Sequence, residues 1–253
     1  YTITPLPGYK EVVPMVFAGL FPKIGDEYPE LREAIEKVKL NDAALVYEPE
    51  RSTALGFGFR CGFLGLLHLE IVEERLRREY NVEVITTIPS VAYHVKKTNG
   101  TEVVIRGAQE LPDQSHIVSI EEPWVKIDVV SPRQYLGGLM NFIQDKGGVY
   151  INTEYIGQGD ERIILHYDLP LAAILTDFYD RLKSISSGYG SLNYEFYDYR
   201  GADIIRMDIL VADEPVEALS TIVYRDQAHN EGKKIVEALK NTLPKQQFVV
   251  KIQ

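Results

Sequence analysis

Gly65-Leu66-Leu67-His68-Leu69-Glu70-Ile71-Val72-Glu73-Glu74-Arg75-Leu76-Arg77-Arg78-Glu79-Tyr80-Asn81, residues 65–81, decides the fold, because it is the clearest helix in the chain. Its apolar residues recur at helical spacing, and the expected buried stripe is Leu64, Leu67, Ile71, Val72, Leu76 and Tyr80. Glu73 stands four residues before Arg77 and Glu74 four before Arg78, so each pair is expected to meet across one turn, and Asn81 ends the helix. Upstream, Ala43–Tyr47 and Thr53–Arg60 read as paired strands, preceded by a helix from Pro29 with Leu31, Ala34, Ile35 and Val38 on one face. Val12–Phe21, apolar and bounded by Pro22, gives the first strand, Val82–Thr87 the last, and Val91–Val95 begins a connection. The order is strand, helix, strand, strand, helix, strand.

That order begins again at Trp124. Trp124-Val125-Lys126-Ile127-Asp128-Val129-Val130 alternates as a half-buried strand, and Ser131-Pro132 is expected to supply an N-cap and a proline at the first helical position. Tyr135, Leu136, Leu139, Met140 and Ile143 form the apolar face of the helix, which Gly147-Gly148 stops. Strands at Val149–Tyr155 and Arg162–Tyr167 flank the turn Gly157-Gln158-Gly159-Asp160. Pro170 opens a second helix with Leu171, Ile174, Leu175, Phe178, Leu182 and Ile185 on one face, and Gly188–Tyr199 is a tyrosine-rich strand. Asp180-Arg181-Leu182-Lys183 repeats the pattern of Glu74-Arg75-Leu76-Arg77.

A βαββαβ order packs as a split βαβ, ferredoxin-like sandwich, with two helices on one face of a four-stranded antiparallel sheet. The expected fold class is therefore α+β: two ferredoxin-like sandwiches in tandem, residues 1–92 and 93–200, plus an incomplete C-terminal α+β unit, residues 201–253. Within 96–123, Thr98-Asn99-Gly100, Leu111-Pro112-Asp113 and Glu121-Glu122-Pro123 read as turns around a short hairpin. The last part has a strand at Ile204–Val211, a helix around Asn230–Leu239 and a final stretch, Phe248–Ile252, with no partner in sight, which suggests truncation.

The 253 residues carry 27 Lys+Arg against 37 Asp+Glu, a formal charge of −10. Divided along the chain the nets are −4, −5 and −1 for residues 1–92, 93–200 and 201–253. Binding nucleic acid through a broad counterion-releasing surface is excluded by that balance, so any RNA contact has to be local. The single cysteine, Cys61, allows no internal disulfide and points to a reduced, cytoplasmic setting. No apolar run reaches the ~18 residues of a membrane span. The chain starts Tyr1-Thr2-Ile3-Thr4-Pro5, without Met or a signal-peptide layout, so a piece of something longer is expected.

Catalytic chemistry is sparse. Gly56-Phe57-Gly58-Phe59-Arg60-Cys61-Gly62 has its third glycine one residue late for a dinucleotide fingerprint, and Gly232-Lys233-Lys234 lacks the glycine and hydroxyl of a phosphate loop. His68, His94, His116, His166 and His229 have no histidine partner at i, i+4, so a histidine metal site is unsupported. A Cys61–His68 nucleophile pair is outweighed by a buried structural thiol, and an Asp177/Asp180 metal or proton-sharing pair by a solvated helix face next to Arg181 and Lys183. Ser187-Gly188-Tyr189-Gly190-Ser191-Leu192-Asn193-Tyr194 resembles the octapeptide of the RNA-recognition motif imperfectly, with Ser187 and Ser191 where a basic residue and a stacking aromatic belong. The preferred reading is a glycine-rich turn that presents backbone amides and hydroxyls to a phosphate.

These residues also carry a family resemblance. Leu6-Pro7-Gly8-Tyr9-Lys10, Pro14-Met15-Val16-Phe17-Ala18-Gly19 and Gly56 to Ile71 resemble the LepA family of translational GTPases, also called elongation factor 4. So do Leu169-Pro170-Leu171-Ala172, Asp180 to Ser186 and Pro244-Lys245-Gln246-Gln247-Phe248, which extends the resemblance over essentially the whole chain. Residues 67–71 and 181–196 are similar to elongation factor G as well. The resemblance implies that residues 1–92 correspond to domain III of elongation factor G, 93–200 to a connector and domain V, and 201–253 to the start of a LepA-specific C-terminal domain. It implies ribosome and tRNA as partners, a monomer in the cytoplasm, no catalytic or metal site in these residues, and GTP with magnesium only in the full-length protein. It places ribosomal RNA contacts on Arg181, Lys183, Ser187, Gly188, Tyr189 and Gly190. Rival readings are a paired amino-acid-sensing module and an RNA-recognition-motif-like binder of single-stranded RNA.

Overall fold

Seven consecutive buried residues, Val16–Pro22, form β1, the second-from-edge strand of the first sheet. The computed structural model describes residues 13–157, 161–175, 177–242 and 251–252. They fall into two compact units, residues 1–89 with 216–219, and residues 90–215 with 220–253.

In the first unit β1 is followed by α1 (Tyr28–Asn41), β2 (Val46–Ser52), β3 (Gly56–Phe63), α2 (Leu66–Tyr80) and β4 (Val84–Thr86). The strands lie in the order β2-β3-β1-β4, and each neighbouring pair is antiparallel. Leu31, Ala34, Ile35 and Val38 of α1 are buried, as their spacing predicts. The stripe predicted for α2 requires correction. Its buried residues are Leu69, Val72 and Leu76, while Leu67 is 69% and Ile71 49% exposed and Leu64 is also exposed. Arg77 and Arg78 both pair with Glu74, whereas Glu73 accepts from the Thr86 hydroxyl. Asn81 does cap the helix, in the left-handed conformation at φ 54°. The β2–β3 hairpin sits three residues later than expected, because Ser52 Oγ accepts from the amides of Ala54 and Leu55 at 3.3 Å each and makes residues 53–55 the turn.

Along β1 and β3 both faces are buried, which is why no polar–apolar alternation marks them. On the helix side lie Val16, Ala18 and Leu20 with Phe59, Cys61 and Phe63. On the other side Phe17 stands opposite Gly62, and Gly19 opposite Arg60. A Cβ on Gly62 would come within 2.8 Å of the Phe17 ring, and one on Gly58 within 2.5 Å of the Phe21 ring and of the Leu20 carbonyl oxygen. Gly58 and Gly62 therefore make room for phenylalanine rings rather than for a phosphate.

The second unit starts with the short strand β5 (Ser90–Val91) and the hairpin β6 (Tyr93–Lys97) and β7 (Glu102–Ile105). The long strand β8 (Ile117–Pro132) follows, then α3 (Leu136–Asp145), β9 (Val149–Ile156), β10 (Arg162–Pro170), α4 (Phe178–Ile185) and β11 (Ser191–Gly201). The order β9-β10-β8-β11 reproduces that of the first sheet, again antiparallel throughout, and β6 and β7 extend it beside the first residues of β8. Glu121-Glu122-Pro123 is thus strand, not turn, since β6 and β11 pair with it from either side. Ser131-Pro132 ends β8 instead of capping α3, with the 3-10 turn Arg133–Tyr135 intervening. Gly147 (φ +85°) does stop α3, and the Gly148 amide donates to Ile143 C=O at 2.9 Å. The helix expected from Pro170 is interrupted: Pro170 closes β10, Leu171–Ile174 is a 3-10 turn, and α4 starts at Phe178. Its predicted face still holds, because Leu171, Ile174, Leu175, Phe178 and Leu182 are buried against Val125, Ile127, Val129, Ile163, Leu165, Tyr167 and Leu169 from the sheet. Of the turn Gly157 to Asp160, residues 158–160 lie outside the described residues.

The strand expected at Ile204–Val211 is two strands, β12 (Ile204–Met207) and β13 (Leu210–Val211). β13 pairs with β14 (Glu214–Pro215), β12 with β15 (Thr221–Tyr224), and α5 (Ala228–Thr242) packs on the latter pair. Residues 248–250 of the terminal stretch and the motifs at 6–10 and 244–248 lie outside the described residues, but Ile252 bridges to Val211, so that stretch does have a partner.

Candidate functional site

α4 ends in a closed, fully hydrogen-bonded turn. Ser187 (φ 51°) and Gly188 (φ +86°) are both left-handed, and the amides of Ser187 and Gly188 donate to the carbonyls of Ser184 and Lys183 at 3.3 and 2.7 Å. That is the Schellman arrangement. The Tyr189 amide donates to Ser186 C=O at 3.1 Å, and the Gly190 amide to Ser186 Oγ at 2.7 Å, while the same buried hydroxyl donates to Leu182 C=O at 2.7 Å. A Cβ on Gly190 would stand 2.6 Å from Ser186 Oγ, so only glycine fits this approach. The amides of residues 187–190 are spent inside the turn, which overturns the expectation that they present themselves to a phosphate.

What the turn offers is side chains. Tyr189 is 70% exposed and Ser187 is exposed. Lys183 folds back on the helix end, its Nζ 3.3 Å from the Gly188 carbonyl and 5.3 Å from the Tyr179 ring centroid, where it offsets the negative end of the helix dipole. Arg181 is two residues before Lys183 and so projects from another side of the helix. Among the described residues its guanidinium has no ion-pair or hydrogen-bond partner. Lys183, Ser187, Gly188, Tyr189 and Gly190 thus form one cluster, with Arg181 apart from it.

The other candidates resolve into structural roles. Cys61 is fully buried, and burial, with Glu50 nearby, pushes its thiol up to about 12, far from a thiolate nucleophile. His68 faces away from catalysis: its Nδ1 accepts from the Leu64 amide at 3.1 Å and its Nε2 is 2.7 Å from Asp42 Oδ2. Burial raises the Asp42 pKa, but the His68 hydrogen bond and the amides of Leu45 and Ala44 outweigh it and hold the carboxyl below its ordinary value. Asp177 pairs with Lys146 at 2.6 Å, and among the described residues no group of three His, Cys, Asp or Glu could hold a metal. Gly56–Gly62 lies on β3 and Gly232-Lys233-Lys234 inside α5, so neither forms the strand-to-helix loop that cradles a nucleotide's phosphates. The 187–194 octapeptide departs from an RNA-stacking strand, since Tyr194 pairs with buried Ile127 and so shares the helix-packed side of the sheet.

A cluster that the sequence reading missed lies on the open face of the second sheet. The Arg200 guanidinium sits 4.3 Å from the Trp124 ring centroid and 5.5 Å from that of Tyr197, and Lys126 Nζ is 4.0 Å from Tyr197. Asp168 and Asp198 neutralise Arg200 at 2.5 and 3.2 Å. The alternation of Trp124 and Lys126 with core residues marked this face, but a bulge between Phe196 and Asp198 brings Tyr197 onto it out of phase.

Sequence models of two families match the chain: "Elongation factor G C-terminus" over residues 119–210 and "GTP-binding protein LepA C-terminus" over residues 211–253. Together they define a C-terminal portion of a translation elongation factor. The Elongation factor 4 proteins of Synechococcus elongatus and Desulforudis audaxviator are each 51% identical to it, over 249 and 250 residues, and that of Chlorobium phaeobacteroides is 50% identical over 248. The chain belongs to the elongation factor 4 (LepA) family. These alignments cover 98–99% of the chain but 41% of each relative, so the chain spans about two fifths of their length. A crystal structure from Thermus thermophilus aligns with 80% of this chain and 43% of its own at 20% identity and a TM-score of 0.48.

Proposed function

We propose that this chain is the ribosome-binding portion of a LepA-like translation factor, and that it positions the factor near the factor-binding centre and the A-site tRNA. In this reading residues 1–92 and 93–200 are ferredoxin-like domains equivalent to domains III and V of elongation factor G, and residues 201–253 begin the LepA-specific domain. The repeated strand order β2-β3-β1-β4 and β9-β10-β8-β11 supports the ferredoxin-like assignment. The intact protein acts as a cytoplasmic monomer, binds and hydrolyses GTP with magnesium through residues outside this chain, and promotes back-translocation of tRNA or sustains translation under stress. One observation carries the contact: the exposed Tyr189 and Ser187, with Lys183 beside them, on a turn rigidified by Ser186. A rigid tip lets an acidic body reach RNA locally, as the charge of −10 requires.

The test is co-sedimentation of the intact factor and of this chain with large ribosomal subunits. Lys183→Ala with Tyr189→Ala should weaken binding of the intact factor and lower its salt dependence. Binding unchanged by that double substitution and by Arg181→Ala would remove the tip from the contact.

A further inference from the structure

Among the described residues, one edge of the first sheet is unpaired and has the chemistry of a peptide groove. β4 ends the order β2-β3-β1-β4, and its pairing with β1 fixes which backbone groups are already used. The Thr87 amide donates to Gly19 C=O at 2.9 Å and the Lys23 amide to Glu83 C=O at 3.0 Å, so residues 87, 85 and 83 face β1 through their hydrogen bonds. Val84 and Thr86 alternate with them. Val84 stands opposite Pro22, and Thr86 opposite Leu20, in pairs that exchange no hydrogen bond. The N–H and C=O groups of Val84 and Thr86 therefore point away from β1, into a groove of about 690 Å³ that α2 walls on its other side.

Charge says what fits there. The groove is lined by Glu70, Glu73, Glu74 and Glu83 against Lys23 and Arg77, with Val82, Val84 and Ile85 as its apolar part. Lys23 is already held by Glu83 at 2.7 Å and Arg77 by Glu74 at 2.6 Å, and among the described residues Glu70 has no ion-pair or hydrogen-bond partner. A nucleic acid is repelled by this surface. An extended peptide is not: it can take the free backbone positions of Val84 and Thr86 as an added strand, with alternate side chains facing α2.

We infer that the groove between α2 and the open edge of β4 binds an extended, Lys/Arg-bearing segment of a partner protein by strand addition. This surface is independent of the α4 tip, and its test uses no ribosome. The probe is a fluorescein-labelled octapeptide of alternating lysine and valine, followed by anisotropy on the 253-residue chain. It should bind, weaken as salt is added, and be preferred over the matching glutamate–valine peptide. Glu70→Lys should weaken it roughly threefold to tenfold, by removing one attraction and adding one repulsion. Val84→Pro should abolish binding, because it removes an outward N–H while leaving the β1 ladder intact. Hydrogen exchange on the unsubstituted chain keeps the test decisive if that variant misfolds: the amides of Val84 and Thr86 should gain protection when the lysine peptide is added. Equal binding of the acidic peptide, no protection at residues 84 and 86, or a Val84-dependent dimer of this chain in place of peptide binding would each overturn the inference.

Discussion

The two βαββαβ units share a strand order and differ in what they do with the face turned away from their helices. In the first, Phe17 and Phe21 lie over Gly62 and Gly58, and Arg60, only 8% exposed, is held by Glu50 through both Nε and Nη2. In the second, the same face carries Lys126, Asp128, His166, Asp168 and Arg200 with Trp124 and Tyr197 among them, and Arg200 retains 31% of its side-chain exposure. One topology therefore supports a glycine-and-phenylalanine seam with a single sequestered ion pair, or a partly exposed charge network. The difference teaches that the sixteen residues from Gly56 to Ile71, the most distinctive of the chain, are specified largely by packing. A long recognisable motif need not be a reactive one.

The arginines offer the hardest test of that contrast. Arg60→Ala strands the Glu50 carboxylate in a nearly dry seam and is expected to cost about 3 kcal/mol, the range for breaking a buried pair. Arg200→Ala should cost less, about 1–2 kcal/mol, because Arg200 keeps 31% and Asp198 44% of their side-chain exposure, although Asp168 keeps only 13%. Urea unfolding, with hydrogen exchange to assign each loss to its own unit, measures both. Equal costs would mean that the two faces are not energetically different.

Next in size is the seam itself. Gly58→Ala places a methyl 2.5 Å from a backbone carbonyl oxygen as well as from a ring, so repacking of Phe21 alone cannot relieve it, and about 2 kcal/mol should be lost. Asn193→Ala, on the open face of β11 opposite Asp128, should stay within about 0.5 kcal/mol.

Much of this architecture was legible in the sequence, and the failures have physical causes. Helix α1, the αL cap at Asn81 and the glycine stop of α3 were readable because each rests on local chemistry. The buried face of α2 was not, since Leu64, Leu67 and Ile71 make as regular a stripe as Leu69, Val72 and Leu76, and only the sheet decides between them. Glu121-Glu122-Pro123 has turn composition, yet β6 and β11 on its two sides hold it as strand. At the tip, the left-handed Gly188 was within reach, but that Ser186 would consume the Gly190 amide required the third dimension.

Ser186 gives the third expected effect. Ser186→Ala leaves the Gly190 amide buried without its acceptor and should cost about 1–2 kcal/mol, with the loss of protection confined to α4 and the turn. If ribosome binding falls with it while Tyr189 and Lys183 are untouched, rigidity of the tip is part of the contact.

The smallest expected effect comes from comparing the two Asp–His pairs, Asp42–His68 at 2.7 Å and Asp128–His166 at 2.6 Å. Asp42 is mostly buried, and its folded pKa lies below the ordinary 3.8, held there by the His68 hydrogen bond and two amides against the opposing pull of burial. A depressed carboxyl contributes stability that is fully present above its unfolded pKa and is lost as pH falls through the folded one. The first unit should therefore lose stability on acidification from about pH 4 downward, and Asp42→Asn should flatten that acid limb while lowering stability at neutral pH. Asp128 is half exposed beside His166, so Asp128→Asn should change the stability of the second unit by no more than about 0.5 kcal/mol. Urea midpoints measured between about pH 2 and pH 6 check both. An acid limb that survives Asp42→Asn would show that the link between the end of α1 and the start of α2 is held by the backbone rather than by this pair.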